Sequence, residues 1–487
     1  MHASLPICMF TILRSDLALI GRPFIHSMTA QDSSAGGAAP PQRSPRHITL
    51  DGRTLEGGGQ LVRNALALAA LTGRPVTIDH VRGNRGGKTG LKASHAAAVK
   101  LLGDISGSKV TGGQVGSQIV TFEPPVFEKE QSATDVPAVP NPILVPLSSV
   151  SPKPEYNIIL STPGSVFLIF QAIYPYLLWV GSQPGIEKIR VNITGGTNGT
   201  NSPTYDYATQ VMLPNFKKLG LPSAEVILHK RGWSNGVVDM GSVSFHISPL
   251  DPSAKLPSFP PINLMVYDRG KITRVDITIL APDVPMSEVD RKGQRQGIRH
   301  YCEREIRRTL RKSLKKLDPS LFDQELLDND DYGDHVPITL AQSEPTSHAS
   351  RFYILLVADT REGFKIGYDA LGTTRAKPNA KLPGRSKHKK DKKGSSQNNR
   401  TDMEHIDDFI EGCVQGFIDE ISGLGASESH KKRSPLDQYM RDQIVVFEEL
   451  GRLSSEPEKN KTPDEDARYW TLHTKTSQWV CREMLPG

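Results

Sequence analysis

Three consecutive glycines, Gly57 to Gly59, stand between the carboxylate of Glu56 and a stretch, Gln60-Leu-Val-Arg63-Asn64, that opens a helical pattern. Glycine lets backbone approach a ligand closely, and the first free N–H groups of a helix favour an anion. These residue types point to a phosphate site beside a carboxylate that could hold a metal. A plain tight turn is the rival reading, because the spacing matches neither the dinucleotide-binding nor the P-loop signature. Far downstream, Tyr439, Asp442 and Gln443 stand at i, i+3 and i+4, so a phenol, a carboxylate and an amide share one helical face. Tyr469-Trp-Thr-Leu-His-Thr474 reads as a strand that delivers His473 just before a short C-terminal helix. A neutral imidazole can attack phosphorus and form a phosphoramidate, splitting one hard transfer into two easier ones.

The elements that must position these groups follow from periodicity. Leu61, Ala65 and Leu68 form the buried stripe of the opening helix, and Gly73 with Pro75 supplies its stop. His47 to Leu50 is the strand before it, and Pro75 to Val81 the strand after it. Arg82 to Lys92 is a basic glycine-rich loop without acids that leads into a helix over 92–102 carrying His95. Val110 to Phe122 reads as a hairpin around Gly112-Gly113, and residues 124–154 as a proline-rich surface insertion. Tyr156 to Leu160 is a strand, residues 164–179 an apolar helix with Gln171 as its polar exception, and Ile186 to Ile193 a strand. Ser202 and Pro203 are the expected N-cap and N1 of the next helix, which ends at Gly220 after a kink at Pro214. Strands follow at 224–228 and 243–247. A glycine-led turn, helix and strand thus recur at 57–81, 164–193 and 202–228, which suggests a repeat and an α/β fold with helices on one face of its sheets.

From about Met265 the texture changes. Ile272 to Leu280 is a strand, residues 286–315 a helix dense in Arg and Lys, Phe352 to Ala358 a buried strand that Gly363 to Tyr368 can pair with. Ile410, Val414, Phe417 and Ile421 mark a further helix. Residues 377–400, with five lysines between Lys387 and Lys393, have a composition that buries no core; they read as a disordered basic loop. Ser434-Pro435 is the expected start of the helix bearing Tyr439, with Met440, Ile444 and Phe447 as its core stripe.

The 487 residues suffice for two or three domains, and a net charge of +6 fits an anionic partner. Cys8, Cys302, Cys413 and Cys481 lie far apart, which disfavours a disulfide framework or a cysteine zinc site and suits a reducing compartment. No apolar run reaches the length of a membrane span. Residues 1–45 read as a disordered or targeting tail; a mitochondrial presequence and a true start at Met28 are both open readings.

Taken in order, these motifs resemble the RNA 3'-terminal phosphate cyclases. The resemblance rests on Asp51-Gly52, Glu56-Gly-Gly-Gly-Gln-Leu-Val-Arg63, Arg82, Arg85, Gly90-Leu91, His95, Gly116-Ser-Gln118, Gln171, Gly195-Gly-Thr with Ser-Pro203, Asp437 to Gln443, and Thr471-Leu-His-Thr474. It covers most of residues 47–480. It implies three repeated units of four-stranded sheet with two helices, plus a smaller inserted α/β domain at 266–433. Cyclase units would occupy 46–265, and residues 434–487 would return to the cyclase domain with the catalytic histidine. The implied activity is that of a ligase forming phosphoric ester bonds: ATP-dependent conversion of an RNA 3'-phosphate into a 2',3'-cyclic phosphate through a histidine–AMP intermediate. On this resemblance His473 is the nucleophile, while Gln171, Pro203, Tyr439, Asp442 and Gln443 meet ATP. Arg63, Arg82 and Arg85 hold phosphates of ATP or the RNA end, and Glu56 holds a divalent metal, Mg or Mn.

RNA 3'-phosphate ends are the expected partner, with no membrane, and the lysine run is a candidate signal for nuclear import. The nucleus (nucleoplasm or nucleolus) is the expected location, mitochondria the rival. The alternative is a non-catalytic cyclase-like protein acting in ribosomal RNA processing and ribosome assembly, a branch that lacks the histidine. A weaker reading is a generic RNA binder acting through 377–400. Departures from the family pattern lie at 231–241, at Glu448-Glu449 and in the loop bearing Arg85, and the chain stops soon after His473.

Overall fold

In the computed structural model, the described residues are 47–126, 143–234, 239–251, 257–286, 293, 295–323, 336–346, 348, 350–373, 402–423, 434–453 and 470–486. The tail 1–45, the lysine run 377–400 and Tyr469 lie outside them.

The first unit runs β1 (Ile48–Asp51), α1 (Gly59–Thr72), β2 (Val76–Asp79), α2 (Ala93–Ser106), β3 (Lys109–Thr111) and β4 (Val120–Glu123). Its sheet has the order β1-β2-β4-β3, with β1 and β2 parallel and β4 antiparallel to both neighbours. Helix α1 stops where expected, since Gly73 adopts a left-handed φ of 67°. The second unit repeats this plan. It comprises β5 (Glu155–Ile159), α3 (Val166–Val180), β6 (Ile189–Gly195), α4 (Tyr205–Tyr207), α5 (Leu213–Lys218), β7 (Ala224–Lys230) and β8 (Gly241–Ile247). The order β5-β6-β8-β7 and the strand directions match the first sheet. The repeat therefore spans 48–123 and 155–247. The segments 57–81 and 164–193 are equivalent, whereas 202–228 is the second half of the second unit and so not a further copy.

Helices α4 and α5 are joined by a π turn, Ala208–Met212, which absorbs the missing N–H of Pro214. Thr204, rather than Ser202, is the N-cap of α4: its hydroxyl accepts from Tyr207 N. Residues 143–150 correct the expected surface insertion at its later end. Val145 is buried, its backbone N–H donates to the Leu71 carbonyl at 2.8 Å, and its own carbonyl accepts from the Trp179 indole N–H at 2.9 Å. Residues 127–142 of that insertion lie outside the described set.

The third sheet has a different order, β10-β9-β11-β12, built from β9 (Ile272–Ala281), β10 (Ile338–Pro345), β11 (Arg351–Thr360) and β12 (Lys365–Thr373). Helices α6 (Ile298–Leu314) and α7 (Asp402–Ser422) cover one face; α6 starts later than expected, with Gly297 as its N-cap. Strand β11 is buried on both faces, which explains its unbroken apolar run Phe352-Tyr-Ile-Leu-Leu-Val-Ala358. Its far face joins the main core through Tyr353, Leu355 and Val357.

Helices α8 (Gln438–Arg452) and α9 (Leu472–Met484) then pack on one another, with α9 against α1. Asp437, rather than Ser434, caps α8. Its carboxylate accepts from Tyr439 N and Met440 N, from the Tyr207 hydroxyl and from Gly367 N of β12. The departures at 231–241 are absorbed structurally. Arg231 forks onto buried Asp206 at 2.8 and 2.9 Å and reaches Glu344 at 3.0 Å. Arg351 lies over the Trp233 ring and pairs with Asp239 at 2.7 Å. Unit two is thereby tied to the third sheet; residues 235–238 are outside the described set. Cys302, Cys413 and Cys481 are buried free thiols. Among the described residues no helix is long and apolar enough to cross a membrane.

Candidate active site

His473 does not ride on a strand. Thr471 caps α9 by accepting from Thr474 N, and His473 sits in the first turn of that helix. Ser477, Val480, Cys481 and Met484 turn inward at helical spacing, and that stripe outweighs the short alternation read at 470–474. Packing of α9 on α1 brings His473 to the glycine turn more than 400 residues earlier in the chain.

At that turn, Gly57 takes a φ of +58°, and Gly58 leaves room for the Glu56 carboxylate to fold back over the helix start. A Cβ on Gly58 would lie 2.2 Å from both Glu56 oxygens. Glu56 is buried, and its backbone N–H donates to the Thr476 hydroxyl at 3.2 Å. Its Oε1 is 2.9 Å from Arg85 Nη1 and 3.9 Å from His473 Nε2. The opposite ring nitrogen, His473 Nδ1, lies 3.0 Å from Gln60 Oε1. Gln60 in turn donates to Ser477 Oγ at 2.8 Å and toward the Asp442 carbonyl at 3.4 Å, while Asn64 donates to Ser477 Oγ at 2.9 Å. The imidazole is about half exposed, with 47% of its side-chain surface open.

Behind it, α1, α3, α5 and α8 enclose a cleft. Gln60, Arg63 and Asn64 come from α1, Phe170, Gln171, Tyr174 and Pro175 from α3, Phe216 from α5, and Asp442, Gln443, Val446 and Phe447 from α8. Three polar atoms in it are sealed from solvent with no hydrogen-bond partner: Arg63 Nε and both amide atoms of Gln171. Burial lowers the Arg63 pKa to about 10 despite the opposing fields of Asp442 and Glu56. Burial raises the Asp442 carboxyl above its usual range, against a hydrogen bond from Gln443 and the His473 ring. His95, on α2, is buried against Gly59 and its pKa falls to about 3, through burial first and then Arg63, Arg82 and Lys92. It accepts from Lys92 N at 3.4 Å.

The sequence-predicted set divides. Glu56, Arg63, Arg85, Gln171, Asp442, Gln443 and His473 converge on this region. Arg82 is buried and spends Nη1 on the carbonyls of Lys88 and Gly90, so it shapes the basic loop from inside. Pro203 and Tyr439 are not among the residues lining the cleft. Pro203 precedes the Thr204 cap, and the Tyr439 ring meets Tyr207 and Tyr368 at 6.5 and 6.0 Å between centroids. The aromatic wall of Phe170, Tyr174, Phe216 and Phe447 escaped sequence reading because each looks like ordinary core. Thr476 and Ser477 were legible in principle, at i+3 and i+4 from His473, once the segment is taken as a helix.

Among the described residues no group of three metal-ligating side chains occurs. Glu56 alone fits a hydrated divalent cation that also takes phosphate oxygens, which is how magnesium is commonly held. The unpartnered Gln171 amide and buried Arg63 Nε fit a polar, anionic ligand in the cleft.

The sequence model of a family described as RNA 3'-terminal phosphate cyclase matches residues 54–487. A protein from Koribacter versatilis (strain Ellin345) named RNA 3'-terminal phosphate cyclase is 28% identical over 247 residues, covering 50% of this chain and 58% of its own length. The chain thus spans little more than half of that relative. With nine-tenths of the polypeptide matched, two copies of one β-α-β-α-β-β unit, and the glycine turn meeting the C-terminal histidine, this chain belongs to the RNA 3'-terminal phosphate cyclase family.

Proposed function

We propose that the protein converts an RNA 3'-terminal phosphate into a 2',3'-cyclic phosphate at the expense of ATP. The observation that carries this reading is His473, with Nε2 beside Glu56 and Nδ1 against Gln60, a residue that also lines the Arg63–Gln171 cleft. Nε2 attacks the α-phosphorus of the nucleotide, an N–P bond forms, and the bond to pyrophosphate breaks. An oxygen of the RNA 3'-phosphate then attacks the same phosphorus and frees the imidazole. Finally the adjacent ribose 2'-hydroxyl attacks the activated terminal phosphorus, closing the ring and releasing AMP.

The chain's residues serve these steps by charge and position. Arg63 and Arg85 hold phosphate oxygens, for which a forked guanidinium is well shaped. Gln171, Asp442 and Gln443 offer hydrogen bonds to the nucleoside, and the apolar wall excludes water. Glu56 would hold a divalent ion, whose part is to offset charge on the phosphates. Such electrostatic relief is the main source of rate in phosphoryl transfer.

The test is incubation with ATP labelled at the α-phosphate, a divalent metal and a 3'-phosphorylated RNA. Label is expected on the protein, His473→Ala abolishes it, and the RNA end becomes cyclic. A well-folded wild-type protein that takes up no label overturns the reading.

A further inference from the structure

We infer that Gln60 is a positioning residue for His473: it holds the imidazole in the tautomer that carries its proton on Nδ1, leaving the Nε2 lone pair to attack phosphorus. The inference rests on the reading of His473 as the nucleophile and adds how the fold selects one of its two nitrogens.

The direction of each hydrogen bond in this cluster follows from what each atom can do. The Asp442 main-chain carbonyl can only accept. Ser477 Oγ and the Gln60 amide nitrogen each lie 3.4 Å from that carbonyl, so each is assigned as a donor toward it, and a flipped Gln60 would set oxygen against oxygen there. Ser477 Oγ must then accept from Asn64 Nδ2 at 2.9 Å and from Gln60 Nε2 at 2.8 Å. With its amide nitrogen so placed, Gln60 presents its carbonyl oxygen to His473 Nδ1 at 3.0 Å. An amide oxygen only accepts, so Nδ1 must donate.

The supports are rigid. Gln60 and Ser477 are buried, with 4% and 0% of their surfaces exposed, and they sit on two helices packed against each other. An unconstrained neutral histidine favours the proton on Nε2, which would block attack from that atom. The second nitrogen's partner decides the outcome, as in other histidine sites. Gln60 is neutral, so it fixes the tautomer without placing a second carboxylate beside Glu56.

Nitrogen-15 spectra of protein labelled at histidine test this in alkaline buffer, where imidazoles are neutral. The His473 resonances are identified among the 14 histidines by their loss in His473→Asn. The wild type is expected to show Nδ1 protonated and Nε2 bare. Gln60→Leu is expected to shift His473 toward the Nε2–H form and to slow protein labelling by about a hundredfold or more, as wrong-tautomer variants of catalytic histidines do. Ser477→Ala, which loosens the Gln60 amide without touching the ring, is expected to shift the tautomer ratio in the same direction by a smaller amount. It also gives the answer if Gln60→Leu does not fold. A wild-type His473 protonated on Nε2, or a ratio unmoved in the folded variants, overturns the inference. Absence of label on a wild type that shows the Nδ1–H tautomer overturns the cyclase reading instead.

Discussion

Arg85 Nη1 stands 2.9 Å from Glu56 Oε1, so the carboxylate proposed to hold a metal is already paired with a cation of the protein itself. A divalent ion arriving at Glu56 must share or displace that guanidinium. Arg85 sits on the basic loop and remains about two-fifths exposed, so it can swing toward phosphate as the ion enters. Arg85→Met is therefore expected to strengthen Mn2+ binding in the absence of nucleotide by about tenfold, the equivalent of roughly 1.4 kcal/mol. Glu56→Gln is expected to abolish it. Electron paramagnetic resonance of free against bound Mn2+ reads both, and equal affinities in wild type and Arg85→Met would refute the competition.

Gly59 makes a separate prediction. A Cβ there would lie 2.1 Å from His95 Nε2 and 3.2 Å from Arg63 Nη1. At an ordinary helical position, Gly→Ala gains about 1 kcal/mol. Here Gly59→Ala is expected to lose about 1–3 kcal/mol, because the buried imidazole has to move. Urea denaturation decides between the two signs.

The pH dependence of stability should carry a His95 component. Its pKa is depressed to about 3 in the folded protein, against about 6.5 in the unfolded chain. The folded state refuses a proton that the unfolded state accepts. This contribution is therefore fully present above pH 6.5 and is lost as pH falls from 6.5 toward 3, by roughly 1.4 kcal/mol per unit at the steepest. His95→Asn, which cannot take the proton, is expected to flatten the acid limb over that window. Parallel curves for the two proteins would show that His95 does not carry the effect.

Local rules found the elements more readily than their ends. The α1 stripe and its Gly73 stop are set by neighbours in sequence, and so was the pairing of β3 with β4, although their connection runs over residues 112–119 and is not a tight turn at Gly112-Gly113. Ser202 and Ser434 were reasonable caps by the same rules, yet Thr204 and Asp437 took those places. Asp437 is chosen by partners that no window contains: Tyr207 lies 230 residues away and Gly367 lies 70 away. The site shows the same limit. Glu56, Arg63 and Arg85 were visible as chemistry, and the Tyr439–Asp442–Gln443 face as a face. The cleft's aromatic wall and the Gln60–Ser477 link depend on which helices meet, and periodicity does not say that. For His473, two periodicities competed over a few residues, and the longer helical stripe through Met484 won.

Glu448, a departure from the small apolar residues usual in the family, has its explanation in Arg441 two turns earlier on α8. The carboxylate and guanidinium pair at 2.8 Å, both nearly sealed from water, and the Trp470 ring lies 5.8 Å from the guanidinium carbon. Burying such a pair brings little net gain over apolar packing, but removing one partner takes a close opposite charge away from the other inside the protein. Glu448→Ala is thus expected to cost about 3–5 kcal/mol. The double change Arg441→Met with Glu448→Leu should recover most of that loss. A double-mutant cycle by denaturant unfolding measures the coupling. If Glu448→Ala is neutral while Arg441 stays in place, the two charges are not held together as the geometry indicates.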